Sequence, residues 1–495
     1  MKVKGHWIVG SLFILLFAFL LILRLGVLEE GAEQKAGRIL TGQIGADQET
    51  WMNISQQGQK IGYAHRQFYK TGEGYRIFES VFMRVNIMGM LQEIRFKTEG
   101  NFHPDLTLSS FDFELQSSLF RFKARGVLQG KVLTLFTDQA GSEQKVDLTL
   151  EKESYLSVGL LKAIRYEDLI PGDSRTFHVF DPATMAQRPV KVDVLVEETI
   201  PILGGPKKAK KVSVHFMGVP QFAWIGEDGT VLKEEGSLGI GLERVSREAA
   251  LDKVTLSKGA DLAEVASIPA GKILPEATGL RELKIQIDGI GQVEKTRPPG
   301  EVFLRGGRQS FENNRLTIRK EPASSLLSFM KGKMVFEDGK THLEATPFIQ
   351  SDHPEIQIKA REIVSVNDPL LVKAKKLVTW VNKNIQKRPV LSVPNALETL
   401  HHRMGDCNEH AVLLAALARA SGIPAQVEAG IVYQKGQFYY HAWNVFYLGT
   451  WITADAVMDQ LPADVTHIRF VRGMERQVDL VQMIGKVKLE ILSYE

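Results

Sequence analysis

The chain has 495 residues, with 61 Lys and Arg against 58 Asp and Glu, and a single cysteine. A formal net charge of +3 is too weak a field to recruit nucleic acid, and one cysteine excludes an internal disulfide framework. The length allows about two to four domains, each able to bury a proper core.

Lys2 and Lys4 precede an apolar stretch from Trp7 to Leu23 that contains LFILLFAFLLIL. This lies at the short end of the roughly 17–25 residues that cross a bilayer as a helix. Arg24 can snorkel, so that Leu25 to Leu28 extend the span. A cleaved signal peptide shows the same order of positive then apolar segments, but no small-x-small cleavage site follows cleanly. Residues 1–28 are therefore expected to form an uncleaved transmembrane anchor, the chain's membrane contact. Its positive flank stays cytoplasmic, which makes the chain single-pass with its bulk periplasmic or otherwise extracytoplasmic. A lone thiol there is a liability unless it has a task.

A polar linker is expected over 29–48, and then an antiparallel β-rich domain over 49–250. WMNI, KIGYAHRQFYK, GYRIFESVFMRV, LQEIRFKTEG, SSFDFELQ and KVDLTLEK alternate with period two between turn signals such as Gln57-Gly58 and Gln129-Gly130. The expected form is a sandwich or barrel-like wrap, interrupted by a helical piece near Leu156 to Ile164. It holds no catalytic constellation. Lys207, Lys208, Lys210 and Lys211 follow Gly204-Gly205-Pro206 and read as a solvated hairpin tip, with an anionic polymer or lipid headgroup as the competing use. Phe111, Phe113, Phe120 and Phe122 read as core, and the domain offers a surface for an envelope partner. A connection over 251–278 and a small β module over 279–345, with strands in LRELKIQIDGI and NRLTIRKE, lead to the region expected to be catalytic, 346–475. Residues 476–495 remain as a C-terminal tail.

Within 346–475, Asp352 to Pro354, Asp368-Pro369 and Asn395 with Glu398 mark three helix starts ahead of apolar faces. The informative stretch then reads GDCNEHAVLLAALARASGIPAQVEAG. Gly405 lets the chain turn and Asp406 is a good N-cap, so a helix begins at Cys407 and stops at Gly422 and Pro424. A thiol in the first turn meets unpaired N–H groups and the positive end of the helix dipole, which favours a thiolate. His441 lies in FYYHAWNVFY and Asp455 ends WITAD, both strand-like. With Gly449 and Thr450 alone as the turn, Asp455 points away from His441. With Leu448, Gly449 and Thr450 as the turn, it faces Trp443 and shares His441's side of the sheet. The latter is expected, with Gly449 at positive φ. Taken singly, a cysteine reads as a small buried hydrophobe and Asp455 as a turn residue; their combination reads as a triad. Cys407 attacks an acyl carbon, His441 takes and returns the proton, and Asp455 fixes the imidazole tautomer. The Cys407 N–H is the first oxyanion donor. Zinc on Cys407, His410, His401 and His402 lacks a second ligand cluster, so neither metal nor cofactor is expected.

These blocks resemble the transglutaminase-like superfamily, whose members share a papain-like cysteine core. The resemblance implies, for about residues 350–475, an α+β fold with a Cys-bearing helix on an antiparallel sheet bearing His and Asp. Cys407, His441 and Asp455 fall on the family's triad positions, with Asp406 and Trp443 flanking the site. One departure is that Ala456, Val457 and Met458 stand where the family often has a Pro-Thr-like turn. The chemistry implied is acyl transfer from amide bonds of a protein or peptide substrate through a thioester. An amine as acceptor makes a transglutaminase-like acyltransferase, water makes a cysteine peptidase or amidase, and some members have lost activity, which leaves a non-catalytic surface binding or adaptor protein as another reading.

Overall fold

The computed structural model describes residues 47–495, apart from 88–89, 118–119, 140–141, 168, 217–218, 253–259, 291–303, 322–341, 391–392, 475–476, 478–479 and 481–482. The expected anchor over 1–28 and nearly all of the linker lie outside the described residues. Among those described, no helix is long and apolar enough to cross a membrane. They fall into two compact units that divide near Leu262 and Ala263.

The first unit is one fifteen-stranded sheet. Its alternation is that of the sequence: along Gly74–Ile87, residues Tyr75, Ile77, Val81, Met83, Val85 and Ile87 are buried while their neighbours face outward. Glu79 falls on the same inward row and is paired there with Arg66 at 2.6 Å. The ladder is antiparallel except where Tyr155–Leu156 runs parallel to Ser174–Asp181. The sheet curls on itself, since Phe111 and Phe180, from strands near its opposite ends, bring their rings to 5.6 Å. A helix, Ser157–Tyr166, packs Leu160, Ala163 and Ile164 into this core. A cavity of about 90 Å³ lies between the helix and the sheet, lined in part by Arg66, Phe68, Glu79, Lys162 and Phe222. The lysine run departs from the expected tip. Gly204 and Gly205, at φ 88° and 101°, carry the turn, and the lysines continue the strand Gly205–Phe216 beyond it. Lys211 there lies 4.7 Å from the Trp224 ring centre and 5.0 Å from that of Phe222, while Lys207 and Lys208 are exposed.

The second unit has two sheets and a group of helices. In one sheet, Ala425–Gln434 sits between Gln437–Tyr447 and Ile468–Arg472, and Trp451–Ala454 extends it beside Gln437–Tyr447. The other, four-stranded, contains Glu282–Asp288, Gln309–Glu312 and Arg315–Arg319, the described part of the expected β module, together with Lys488–Tyr494. The last of these corrects the expectation of a tail over 476–495. Leu489 and Ile491 alternate inward beside buried Leu283, Ile285 and Ile287, so the segment forms a strand. Helices Pro354–Ile363, Leu370–Asn384 and Ala396–His402 start where their caps indicated. All three pack on the helix Cys407–Ala420, which is buried at every position from Cys407 to Ala418. A helix apolar on nearly all faces has to be central.

Candidate active site

The start of the central helix is built by a reciprocal cap. Asp406 Oδ1 accepts from the Asn408 N–H at 2.9 Å, and Glu409 Oε2 accepts from the Asp406 N–H at 2.9 Å. Gly405 is required for this box, because a Cβ there would stand 2.2 Å from the Glu409 Cβ. Asp406 therefore serves the helix end, and burial, followed by the nearby Glu409 carboxylate, raises its pKa well above the usual carboxylate range.

Cys407 is fully buried. Burial, then the charge of Asp406, and further those of Glu409 and Asp455, push its thiol up, while the backbone N–H of Ala442 donates to it and pulls the other way. This reverses the expected thiolate. The helix dipole is a partial charge that acts over one turn, and here full burial and three carboxylates outweigh it.

The adjacent strand carries His441. Asn444 ties that strand to the helix by donating to the Ala411 carbonyl at 2.9 Å. The turn that follows has three residues, Leu448, Gly449 and Thr450, with Gly449 at φ 95° and a Leu448 N–H to Thr450 carbonyl bond of 2.9 Å. Asn444 then pairs with Ala454, so Asp455 comes level with Trp443 and on the side of His441. Its Oδ2 lies 2.7 Å from His441 Nε2. Its Oδ1 accepts from the N–H groups of Val457 at 2.6 Å and Met458 at 3.1 Å, which is the use made of the Ala456-Val457-Met458 turn. Burial alone would raise the pKa of Asp455; His441 and His467 hold it far below the usual range instead.

His467 is the residue that sequence reading missed. Its Nε2 is 2.9 Å from the same Asp455 Oδ2, and its Nδ1 is 3.3 Å from Asp464 Oδ1. His441, Asp455 and His467 lie close enough to suggest a metal site. Separations of 2.7 and 2.9 Å are, however, hydrogen-bond lengths, shorter than the ~3.3 Å between tetrahedral ligands each about 2.0 Å from zinc. At these separations hydrogen bonds join the trio. Trp443 lies beside both histidines, 6.0 Å from His441 and 5.2 Å edge-on to His467. Its indole N–H donates to Glu428 Oε2 at 3.0 Å, and Glu428 is also bound by Arg469 at 3.2 Å and Arg472 at 2.5 Å. Trp443 is thus a buried wall of the site, anchored from behind.

A cysteine opening the central helix of an α+β unit, with histidine and aspartate on adjacent strands beside it, is the arrangement of a papain-like core. Residues 358–456 match Transglut_core, the family model of the transglutaminase-like superfamily. His467 lies beyond the matched span. No curated protein matches the chain. Three similar solved structures are a β-barrel-like protein of a domain of unknown function from Brucella abortus, a protein provisionally named a cysteine protease from Cytophaga hutchinsonii, and the periplasmic domain of TgpA from Pseudomonas aeruginosa. The first is 13% identical, with 40% of this chain and 95% of that one covered and a TM-score of 0.32. For the second the values are 16%, 43%, 86% and 0.26, and for the third 15%, 40%, 91% and 0.23.

Proposed function

We propose that this chain is a membrane-anchored, extracytoplasmic cysteine enzyme that acts on amide bonds of proteins or peptides. The observation that carries the reading is the 2.7 Å His441–Asp455 bond, on a strand whose next N–H donates to the Cys407 sulfur. With Nε2–H given to Asp455, His441 keeps Nδ1 as the free base. Cys407 sulfur attacks the carbonyl carbon as its proton passes to His441. The carbon–nitrogen bond breaks, His441 protonates the departing amine, and a thioester remains. An amine or water then attacks, its proton goes to His441, and the thiol is regenerated. The apolar segment Trp7 to Leu23 is the anchor, and the curled β sheet is the surface offered to an envelope partner.

The test is incubation of the full chain with a glutamine-rich protein and a labelled primary amine. Incorporation defines an acyltransferase, and product release without incorporation defines a peptidase or amidase. Turnover that survives Cys407→Ala refutes the proposal. The full burial of Cys407 and its raised thiol favour one second reading, a non-catalytic surface binding protein; it requires that wild type forms no thioester with any substrate offered.

A further inference from the structure

We propose that His467 is a positioning residue of this site: a fixed imidazolium, held between Asp455 and Asp464, that clamps the Asp455 carboxylate for His441 and cancels part of its charge. The proposal deepens the reading above and rests on it. A neutral imidazole has one N–H and one lone pair, whereas His467 turns both ring nitrogens on carboxylate oxygens, at 2.9 and 3.3 Å. Ionised carboxylates only accept, so both nitrogens carry protons. Burial alone would lower the pKa of His467; Asp464 and Asp455 raise it to about 9.

The ring has no freedom to leave this position. It is fully buried, and the Arg308 guanidinium holds the surrounding backbone through the carbonyls of Ala463 at 2.6 Å, Asp464 at 2.9 Å and His467 at 3.0 Å. Asp464 is fixed in turn by the Thr466 N–H at 2.9 Å, the Thr466 hydroxyl at 2.6 Å and Gln460 Nε2 at 2.9 Å. Asp455 Oδ2 is thereby shared between two imidazoles while its Oδ1 is locked by two backbone N–H groups.

The charge has a direct consequence. The His441 and His467 rings are 5.7 Å apart, so a permanent cation at His467 disfavours a second one at His441. The groups facing His467 are Asp455, Asp464, His441, Trp443 and Arg308. Lys387, whose charge acts on Asp455, and Asp406 and Glu409 near Cys407 all remain when His467 is changed. Replacing the imidazolium by a neutral amide therefore leaves more of the Asp455 charge acting on Cys407 and raises the pKa of the thiol.

The experiment follows alkylation of the single cysteine by iodoacetamide against pH in the full chain, comparing wild type, His441→Ala and His467→Gln. The glutamine can still donate to Asp455 but carries no charge. The expected result is a His441-dependent profile in wild type that moves up by about one pH unit in His467→Gln. A His441-dependent profile that does not move overturns the role of His467, since a merely structural residue would change the amount of folded protein and leave the pH midpoint alone. If wild type and His441→Ala give the same profile, the enzymatic reading fails instead. Nitrogen NMR of ¹⁵N-histidine-labelled wild type decides independently, even if the variant does not fold: two protonated nitrogens on His467 at neutral pH are expected, and one overturns the proposal.

Discussion

Gly430→Ala tests whether the strand that carries His467 into the site is as tightly set as its geometry requires. Gly430 lies opposite His441 on one side and Arg469 on the other. A Cβ there would stand 1.9 Å from the Ile468 carbonyl oxygen, 2.9 Å from its carbon and 3.0 Å from the Arg469 Cα. All three atoms are backbone, so no rotamer change relieves the contact. Carbon–oxygen contacts settle at about 3.3 Å or more, which requires the strand Ile468–Arg472 to retreat by about 1.4 Å. Overpacking costs about 1–3 kcal/mol, and one or two lost ladder hydrogen bonds add about 1 kcal/mol each, for a total of about 2–5 kcal/mol. Ile468 follows His467, so the same retreat opens the 2.9 Å contact to Asp455 past hydrogen-bonding distance. Because the chain has one cysteine and it is buried in this unit, pulsed thiol labelling across a urea gradient reports this unit's unfolding selectively. A loss below about 0.5 kcal/mol, the level of an ordinary surface substitution, would refute the argument.

Glu428→Ala leaves Arg469, 4% exposed, without its buried carboxylate and should cost about 3–5 kcal/mol in the same assay; a change under 1 kcal/mol would mean that the network contributes little. Two histidines set opposite pH limits on stability. His467, raised to about 9 in the fold, stabilises fully below its unfolded pKa near 6.5, and the contribution is lost as pH rises to about 9. His410, lowered to about 4 chiefly by burial, stabilises fully above about 6.5, and that contribution is lost as pH falls towards 4. The urea midpoint of unfolding should therefore peak near pH 6.5, and a midpoint that climbs steadily from 6.5 to 9 would contradict the His467 assignment.

What the sequence made legible was local. The cap at Asp406, the helix start at Cys407 and the three-residue turn at Gly449 each follow from neighbouring residues and the period-two rule, and together they bring Asp455 to His441. His467 was illegible because it and its partner Asp455 are joined by turns and irregular backbone with no periodicity to set their alignment, and because Arg308, which fixes its backbone, comes from a hairpin far earlier in the chain. Lys488–Tyr494 was missed as a strand for the same reason, since its ladder partner is Glu282–Asp288. The thiolate expectation failed differently. The helix dipole can be read from a single turn, whereas the carboxylate of Asp455 and complete burial exist only after packing. The lysine run misled because four cations in five residues suggest a tip, while Trp224 and Phe222 supply a face along which a strand can lay Lys211.

The fifteen-stranded sheet also has a seam. Every ladder in it joins strands consecutive in sequence except one, Gln48–Gln56 against Ile240–Val245. Two ribbons can therefore zip hairpin by hairpin from either side, with little chain entropy spent at each step. The seam alone closes a loop that sets Gln56 beside Ile240, at an entropic cost of about 4–5 kcal/mol. The expected outcome is that this ladder forms last and opens first, so that amides along Gln48–Gln56 and Ile240–Val245 exchange with solvent ahead of those in the ribbons on either side.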